Sequence, residues 1–254
     1  MSGIPLQTGI IYGPIFSRRL GRSLGINLSG VDRKVCSFNC VYCQYGLARP
    51  IEPAEIGVGL PSVADVLGQV ERALKKPRSI DYLTFSGNGE PTLHPDFPEI
   101  VRGVLALRDK HRPDAKLAIL SNASRVTDPE IRAAVQLLDA PMMKLDAGDE
   151  DTFQAINRPA QPIRLANIVA GLSNLPNLMI QSMLLDGKIS NVRGAAYAAW
   201  ANLLAELSPR KIHIYSLDRP AAFEGVDDVS TARLEEIAAD LSTRLHLEAT
   251  AFSS

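Results

Sequence analysis

Cysteine is scarce in this 254-residue chain: there are three, all between Cys36 and Cys43. An odd number of closely spaced thiols makes a poor disulfide framework, and a chain this long buries enough surface to fold without one. The thiols therefore stand for chemistry, and three of them in a reducing compartment point to a metal. Surplus charge is lacking too. Twenty-seven Lys and Arg face 28 Asp and Glu, a formal net charge of −1, so net charge gives no support to a nucleic-acid partner. No apolar run approaches the roughly 18 residues of a membrane helix, and Met1 to Ile11 has no basic stretch leading into a long apolar core. A cytoplasmic protein with no membrane partner is expected. No linker, low-complexity segment or charge block divides the sequence, so one domain over residues 1–254 is expected, with a core at about 13–219 and a C-terminal helix and short extension over 220–254.

What the chain does have is a repeated strand–loop–helix pattern. Short apolar or β-branched runs predict strands at Leu24–Leu28, Ile80–Phe85, Lys116–Leu120, Pro141–Leu145, Leu178–Leu185 and Lys211–Leu217. Helical spacing links Val63, Val66, Leu67, Val70 and Leu74 behind Ser62 as N-cap. A Thr-x-x-Glu capping box at Thr127-Asp128-Pro129-Glu130 predicts another helix. Leu165, Ile168, Val169 and Leu172 mark the next, Trp200, Leu203, Leu204 and Leu207 the one after, and Leu234, Ile237, Leu241 and Leu245 the last. The alternation implies βαβ units and a parallel α/β sheet, either doubly wound or closed toward a barrel.

Polar residues gather where each strand ends. The cysteines follow the first and Ser86-Gly87-Asn88-Gly89-Glu90-Pro91 the second; Ser121-Asn122 ends the third and Lys144-Leu145-Asp146 the fourth. Asp186-Gly187-Lys188 and Tyr215-Ser216-Leu217-Asp218-Arg219 close the last two. In parallel α/β folds that rim is the functional face.

Cys36-Ser-Phe-Asn-Cys40-Val-Tyr-Cys43 can wrap one compact metal centre without help from distant segments. Cubane iron–sulfur clusters usually take four thiolates. Three would leave one iron open, as a catalytic metal requires. The alternatives are a zinc ion completed by His94 or His213, three buried unliganded thiols, and a nucleophilic cysteine that leaves the other two unexplained.

Cys-x-x-x-Cys-x-x-Cys with Tyr42 before the last cysteine resembles the signature of the radical S-adenosylmethionine (SAM) superfamily. Asn88-Gly89-Glu90-Pro91 resembles that family's Gly-Gly-Glu-Pro motif, with Asn88 in place of the first glycine. The resemblance runs over roughly residues 13–219. It implies a partial (β/α)6 TIM-like barrel, a 4Fe–4S cluster on Cys36, Cys40 and Cys43, and SAM chelated through its amine and carboxylate to the open iron. Reductive cleavage would then give a 5′-deoxyadenosyl radical that takes hydrogen from a substrate, with a flavodoxin- or ferredoxin-type electron donor as partner. Tyr42, Asn88, Gly89, Glu90, Ser121, Asn122, Asp146 and Gln181 become cofactor-binding candidates. Glu90 would meet the methionyl amine and Asp146 the ribose. Ser121-Asn122 resembles a Thr-Asn-Gly, here with Ala123 for glycine. Phe38 and Tyr42 would shield the cluster or underlie the adenine, plain packing being the other reading for Phe38. Lys144 either binds the carboxylate or neutralises Asp146. Of Gln181 and Ser182, one must face inward, because strand side chains alternate.

Lys144, Tyr215 and Arg219 are the candidate catalytic and substrate-selecting residues, although an Asp218–Arg219 salt bridge is the commoner outcome for such neighbours. Arg18, Arg19 and Arg22 form a solvated basic loop or a clamp for phosphate or carboxylate. Arg-Arg-Leu-Gly-Arg-Ser-Leu-Gly, Tyr-Cys-Gln-Tyr-Gly and Gly-Asn-Gly-Glu-Pro-Thr-Leu-His-Pro resemble compact proteins similar to wyosine-type tRNA-guanine synthases. Those synthases carry a second cysteine-bound cluster, for which this chain has no cysteines. The substrate is thus left open between RNA modification and an anionic small molecule. The runner-up is a glycyl-radical-enzyme activase acting on a partner protein; a non-catalytic iron–sulfur or zinc protein is the third reading.

Overall fold

The computed structural model describes residues 4–51, 55–219, 221 and 223–252. In chain order the elements are β1 (Ile11–Ser17), β2 (Gly21–Ile26), α1 (Val63–Leu74), β3 (Tyr82–Phe85), a 3-10 turn (Pro91–Leu93), α2 (Phe97–His111), β4 (Lys116–Ser121), α3 (Pro129–Gln136) and β5 (Ala140–Lys144). There follow α4 (Glu150–Asn157), α5 (Leu165–Leu172), β6 (Met179–Met183), β7 (Asp186–Gly187), α6 (Gly194–Leu207), β8 (Lys211–Tyr215), β9 (Val226–Asp227), α7 (Thr231–Arg244) and β10 (Ala249–Phe252). Eight strands form one sheet in the order β1-β2-β3-β4-β5-β6-β8-β10, with β7 and β9 as a separate pair. Every neighbour in the large sheet is parallel except β1 against β2. It curls into a partial TIM-like barrel with helices outside.

The expected helices form for the expected reasons. Ser62 Oγ accepts from Asp65 N at 3.1 Å and α1 buries Val66, Val70, Ala73 and Leu74; such a cap is worth about 1 kcal/mol. The capping box at Thr127 shifts by one residue. Asp128 is the N-cap, its carboxylate accepting from Glu130 N and Ile131 N, because Pro129 already supplies the first helical position. Two helices escape the periodic reading, α2 behind Asp96-Phe97-Pro98 and the short α4. The predicted Leu178–Leu185 strand ends at Met183, and that at Leu24–Leu28 runs from Gly21 to Ile26. Strands β1 and β10 lack a predicted counterpart. In β1 the run is broken by Pro14 and the pairing with β2 shifts register between Tyr12 and Ile15, as befits an edge strand that can carry proline and a bulge.

The β1–β2 turn occupies the inside of the barrel. Leu20 is 5% exposed and packs with Ala118, Ala140, Met142 and Met179, from β4, β5 and β6. This apolar plug forms the barrel floor. Outside, Trp200 of α6 is fully buried, with Nε1 donating to Leu145 O at 3.0 Å, so its one polar atom is satisfied. A Cβ on Gly148 would stand 2.1 Å from Ala199 C, so only glycine lets the backbone after β5 lie against α6.

Candidate active site

The cysteine loop is stitched to the barrel rim by its backbone. Val35 N donates to Asn88 O and Glu90 N to Val35 O, both at 2.9 Å, so the segment before Cys36 runs beside the loop after β3. A Cβ on Gly89 would stand 1.7 Å from Val35 O; glycine here is a condition of that approach. On the other side Asn39 N donates to Asn157 O (3.0 Å) and Val41 N to Ile156 O (2.9 Å), tying the loop to the end of α4. Phe38 lies edge-on to Phe153, centroids 5.5 Å apart. It is a packing residue.

Amide donors point at two sulfurs. Asn122 Nδ2 lies 3.7 Å and Phe38 N 3.5 Å from Cys36 Sγ, and Asn157 Nδ2 lies 3.5 Å from Cys40 Sγ. Burial pushes the Cys36 thiol up to about 12, and burial with the nearby Asp146 raises Cys40 as well. Such thiols ionise when a metal supplies the compensating charge. Among the described residues no three His, Cys, Asp or Glu side chains gather about one point, as a single ion demands. A cubane instead spreads its thiolates over a wider triangle, one per iron, and hydrogen bonds to its sulfurs set its potential. The zinc reading also loses its fourth ligand: His94 is engaged through Nε2 with Pro61 O (2.8 Å) and through Nδ1 with Asp96 N (3.2 Å). His213 sits in β8 against Phe252. Three thiolates, two of them with amide donors at the sulfur, fit an iron–sulfur cluster.

Glu90 stands next to Cys36 and is 3% exposed. Thr92 N (3.0 Å), Thr92 Oγ1 (2.7 Å) and Ser121 Oγ (2.8 Å) donate to Oε1; Asn122 N (2.6 Å) donates to Oε2. Burial raises its pKa and these four donors pull it back. Ser121 and Asn122, at the end of β4, thus hold the glutamate, and Asn122 also reaches Cys36 and Ser37 (3.0 Å). Ala123 keeps a left-handed backbone, φ 63°, where the family motif has glycine, at a cost of about 1–2 kcal/mol. The side chain of Asn88, a cofactor-binding candidate, has a task within the chain. It is fully buried, with Oδ1 accepting from Gln7 N and Nδ2 donating to Gln7 O and Gly30 O, so its side chain ties down the N-terminal segment.

Asp146, expected at the ribose, is likewise engaged within the chain. Tyr42 Oη and Asn157 Nδ2 (2.7 Å) donate to Oδ2, Met183 N (2.8 Å) donates to Oδ1, and Lys144 Nζ lies 3.7 Å away. With four partners and 2% exposure, the carboxylate anchors Tyr42, and hence the cluster loop, to the ends of β5 and β6. Asn157, a residue without any motif around it, completes this anchor. Asn191 ties its two sides together through Asp146 O and Met183 O. Burial alone would lower the Lys144 ammonium, but Asp146, Tyr215 and Cys40 outweigh it, and the group is held above its ordinary value. Lys144 thus both faces Asp146 and donates to Tyr215 Oη at 3.1 Å.

Beside the loop opens a cavity of about 550 Å³ whose lining includes Tyr42, Cys43, Arg19, Tyr215 and Arg219. Gln181 is the inward member of its pair: Nε2 donates to Met142 O (3.0 Å) and Oε1 accepts from Arg19 Nη1 (2.8 Å), while Ser182 turns to Leu145 O. Gln181 therefore supports Arg19 directly. The expected Asp218–Arg219 bridge gives way to Arg18, which pairs with Asp218 across the mouth. Arg22 pairs with Asp81, away from the cavity.

A family model described as the Radical SAM superfamily matches residues 33–187, a span that holds the three cysteines, Glu90, Asn122 and Asp146. The chain belongs to the radical SAM superfamily. Membership brings a 4Fe–4S cluster and SAM as cofactors. The UPF0026 protein slr1464 of Synechocystis sp. is 33% identical over 215 residues, covering 83% of this chain and 76% of that protein. A Brachyspira hyodysenteriae protein described as GTPase Obg is 35% identical over 167 residues, 66% of this chain, which spans only 23% of that protein's length. Among solved structures, a radical SAM methyltransferase from Sphaerobacter thermophilus matches with a TM-score of 0.63 at 17% identity, covering 91% of this chain and 66% of that one. TYW1 with a lysine–pyruvate adduct bound matches at 0.59 and 16% identity, covering 87% of this chain and 73% of the other. At these identities the structural likeness shows the fold.

Proposed function

We infer that this radical SAM enzyme cleaves SAM reductively and uses the resulting radical to take hydrogen from a substrate held in the cavity beside Cys43. The observation that carries the reading is the Glu90–Asn122–Cys36 unit: a buried carboxylate fixed by four donors, one of them from the residue whose side chain faces a cluster thiol. An electron carrier has no use for a buried anion there, whereas a cofactor with an amino group does. When bound, cluster and SAM supply one-electron cleavage to methionine and a 5′-deoxyadenosyl radical.

The chain's own residues hold and position. Cys36, Cys40 and Cys43 carry the cluster, with Asn122 and Asn157 as amide donors to its thiolates. Glu90 Oε2, with a single donor of its own, is the oxygen free to accept from the methionyl amine. Asp146, through Tyr42, fixes the loop on which the three cysteines sit. Tyr215, Lys144 and Gln181 form a hydrogen-bonded shelf in which Lys144 Nζ donates to Tyr215 Oη and Tyr215 Oη to Gln181 Oε1. A cluster held by thiolates suits a reducing compartment, which supports a cytoplasmic enzyme with a low-potential flavodoxin or ferredoxin as electron donor.

Anaerobic reconstitution with iron and sulfide, followed by dithionite and SAM, is expected to release 5′-deoxyadenosine. Cys40→Ala is expected to load no cluster and release none. A wild-type protein that loads a cluster but leaves SAM intact would overturn the reading.

A further inference from the structure

Arg19 has no task in the scheme above. It lies half-buried in the turn between β1 and β2, and among the described residues no carboxylate pairs with it. Its neighbours Arg18 and Arg22 each take an aspartate, Asp218 and Asp81. The contacts of Arg19 are neutral. Nη1 donates to Gln181 Oε1 at 2.8 Å, and Cζ lies 4.4 Å from the centre of the Tyr215 ring. That engages one of five guanidinium N–H groups. Withdrawing a cation from water without a counter-charge is unfavourable.

The position is nevertheless firmly built. Ser17 Oγ accepts from Arg19 N (3.3 Å) and Leu20 N (3.2 Å), and Leu20 is sunk in the barrel floor. The bond from Gln181 Nε2 to Met142 O turns the amide oxygen toward the guanidinium. Among the described residues that line the cavity, three arginines, Arg18, Arg19 and Arg219, stand against a single carboxylate, Asp218, in a chain whose net charge is −1. Ile15 and Phe16 of the same hairpin, 49% and 81% exposed, add an apolar lip.

We propose that Arg19 binds an oxyanion of the substrate, a carboxylate or a phosphate, with the guanidinium held over the Tyr215 ring and its remaining donors available to the cavity. Fork-shaped donors suit either group. The proposal rests on the radical reading and adds the substrate class: a small organic anion with an apolar body.

The test is calorimetric titration of the cluster-loaded protein with inorganic phosphate and, separately, with succinate, each with and without saturating SAM. At least one anion is expected to bind the wild type in the presence of SAM, and Arg19→Gln to weaken it roughly tenfold or more. Arg19→Lys, which keeps the charge but loses the fork, is expected to fall between. Arg22→Gln is expected to match the wild type. Tighter phosphate marks a phosphoryl substrate, and tighter succinate a carboxylic one. Three results would overturn the proposal: no anion binding to the wild type, equal binding to a folded Arg19→Gln, or loss of anion binding when SAM is added, which would give Arg19 to the SAM carboxylate. Release of 5′-deoxyadenosine by the same wild-type preparation is measured in parallel. Its failure counts against the radical reading, whichever way the titration falls.

Discussion

Where β3, β4 and β5 end, the wall of the barrel mouth has little hydrogen-bonding capacity left: Glu90 takes four donors, Asp146 takes three and a lysine, and Asn122, Asn157 and Asn191 each bridge two segments. Across the cavity, where β6, β8 and the β1–β2 hairpin meet, Arg19 keeps most of its donors unused and the hairpin leaves Phe16 in solvent. Apart from Glu90 Oε2, the first wall is finished before anything binds; the second still needs a ligand to complete it. That is the division expected of an enzyme whose cofactor chemistry is shared and whose substrate is its own.

Three experiments sharpen or break the contrast. The largest effect is expected from Glu90→Gln, which replaces an anion by an amide in the finished wall. SAM affinity should fall about 10–100-fold while cluster loading persists, as read by calorimetry and by the visible spectrum. An unchanged affinity would mean that the glutamate only ties β3 to β4. Next comes Asn157→Ala. Removing the donors to Asp146 and Cys40 Sγ should lower unfolding stability by roughly 1–3 kcal/mol in a denaturant melt and alter the cluster's reduction potential. A stability loss with no change in potential would make Asn157 a mere brace.

The third effect, confined to acid pH, lies on the unfinished wall. Burial lowers His213 to about 4, and Arg19 and Lys211 push the same way, against a weaker pull from Glu248. The folded state thus binds fewer protons than the unfolded chain between pH 6.5 and 4. Stability is fully present above the unfolded value and is lost as pH falls through that window. At pH 5 the loss is about 2 kcal/mol. His213→Asn should flatten this slope, and a mutant as pH-sensitive as the wild type would assign the loss elsewhere.

The finished wall was largely legible in the sequence, and the other was not. Cysteine spacing and the Gly89-Glu90-Pro91 turn are local patterns, and strand ends put them on one rim. Asp146 was visible as a strand-end acid, but its task was not, because three of its partners lie at Tyr42, Asn157 and Met183, far apart in the chain. A single asparagine at the end of α4 has no periodicity to reveal it. The arginines were visible as a cluster, yet composition cannot say that Arg18 turns to the rim, Arg19 to the cavity and Arg22 to the outside. That depends on β1, whose proline and bulge hide it from alternation patterns.

The turn between β1 and β2 puts three adjacent side chains to three uses: Arg18 latches onto Asp218, Arg19 faces the cavity, and Leu20 stoppers the base of the barrel. Adding or deleting one residue between Ser17 and Gly21 would reassign all three at once. The hairpin's length is therefore constrained more tightly than position 19, whose side chain can be exchanged while the stopper beneath stays in place.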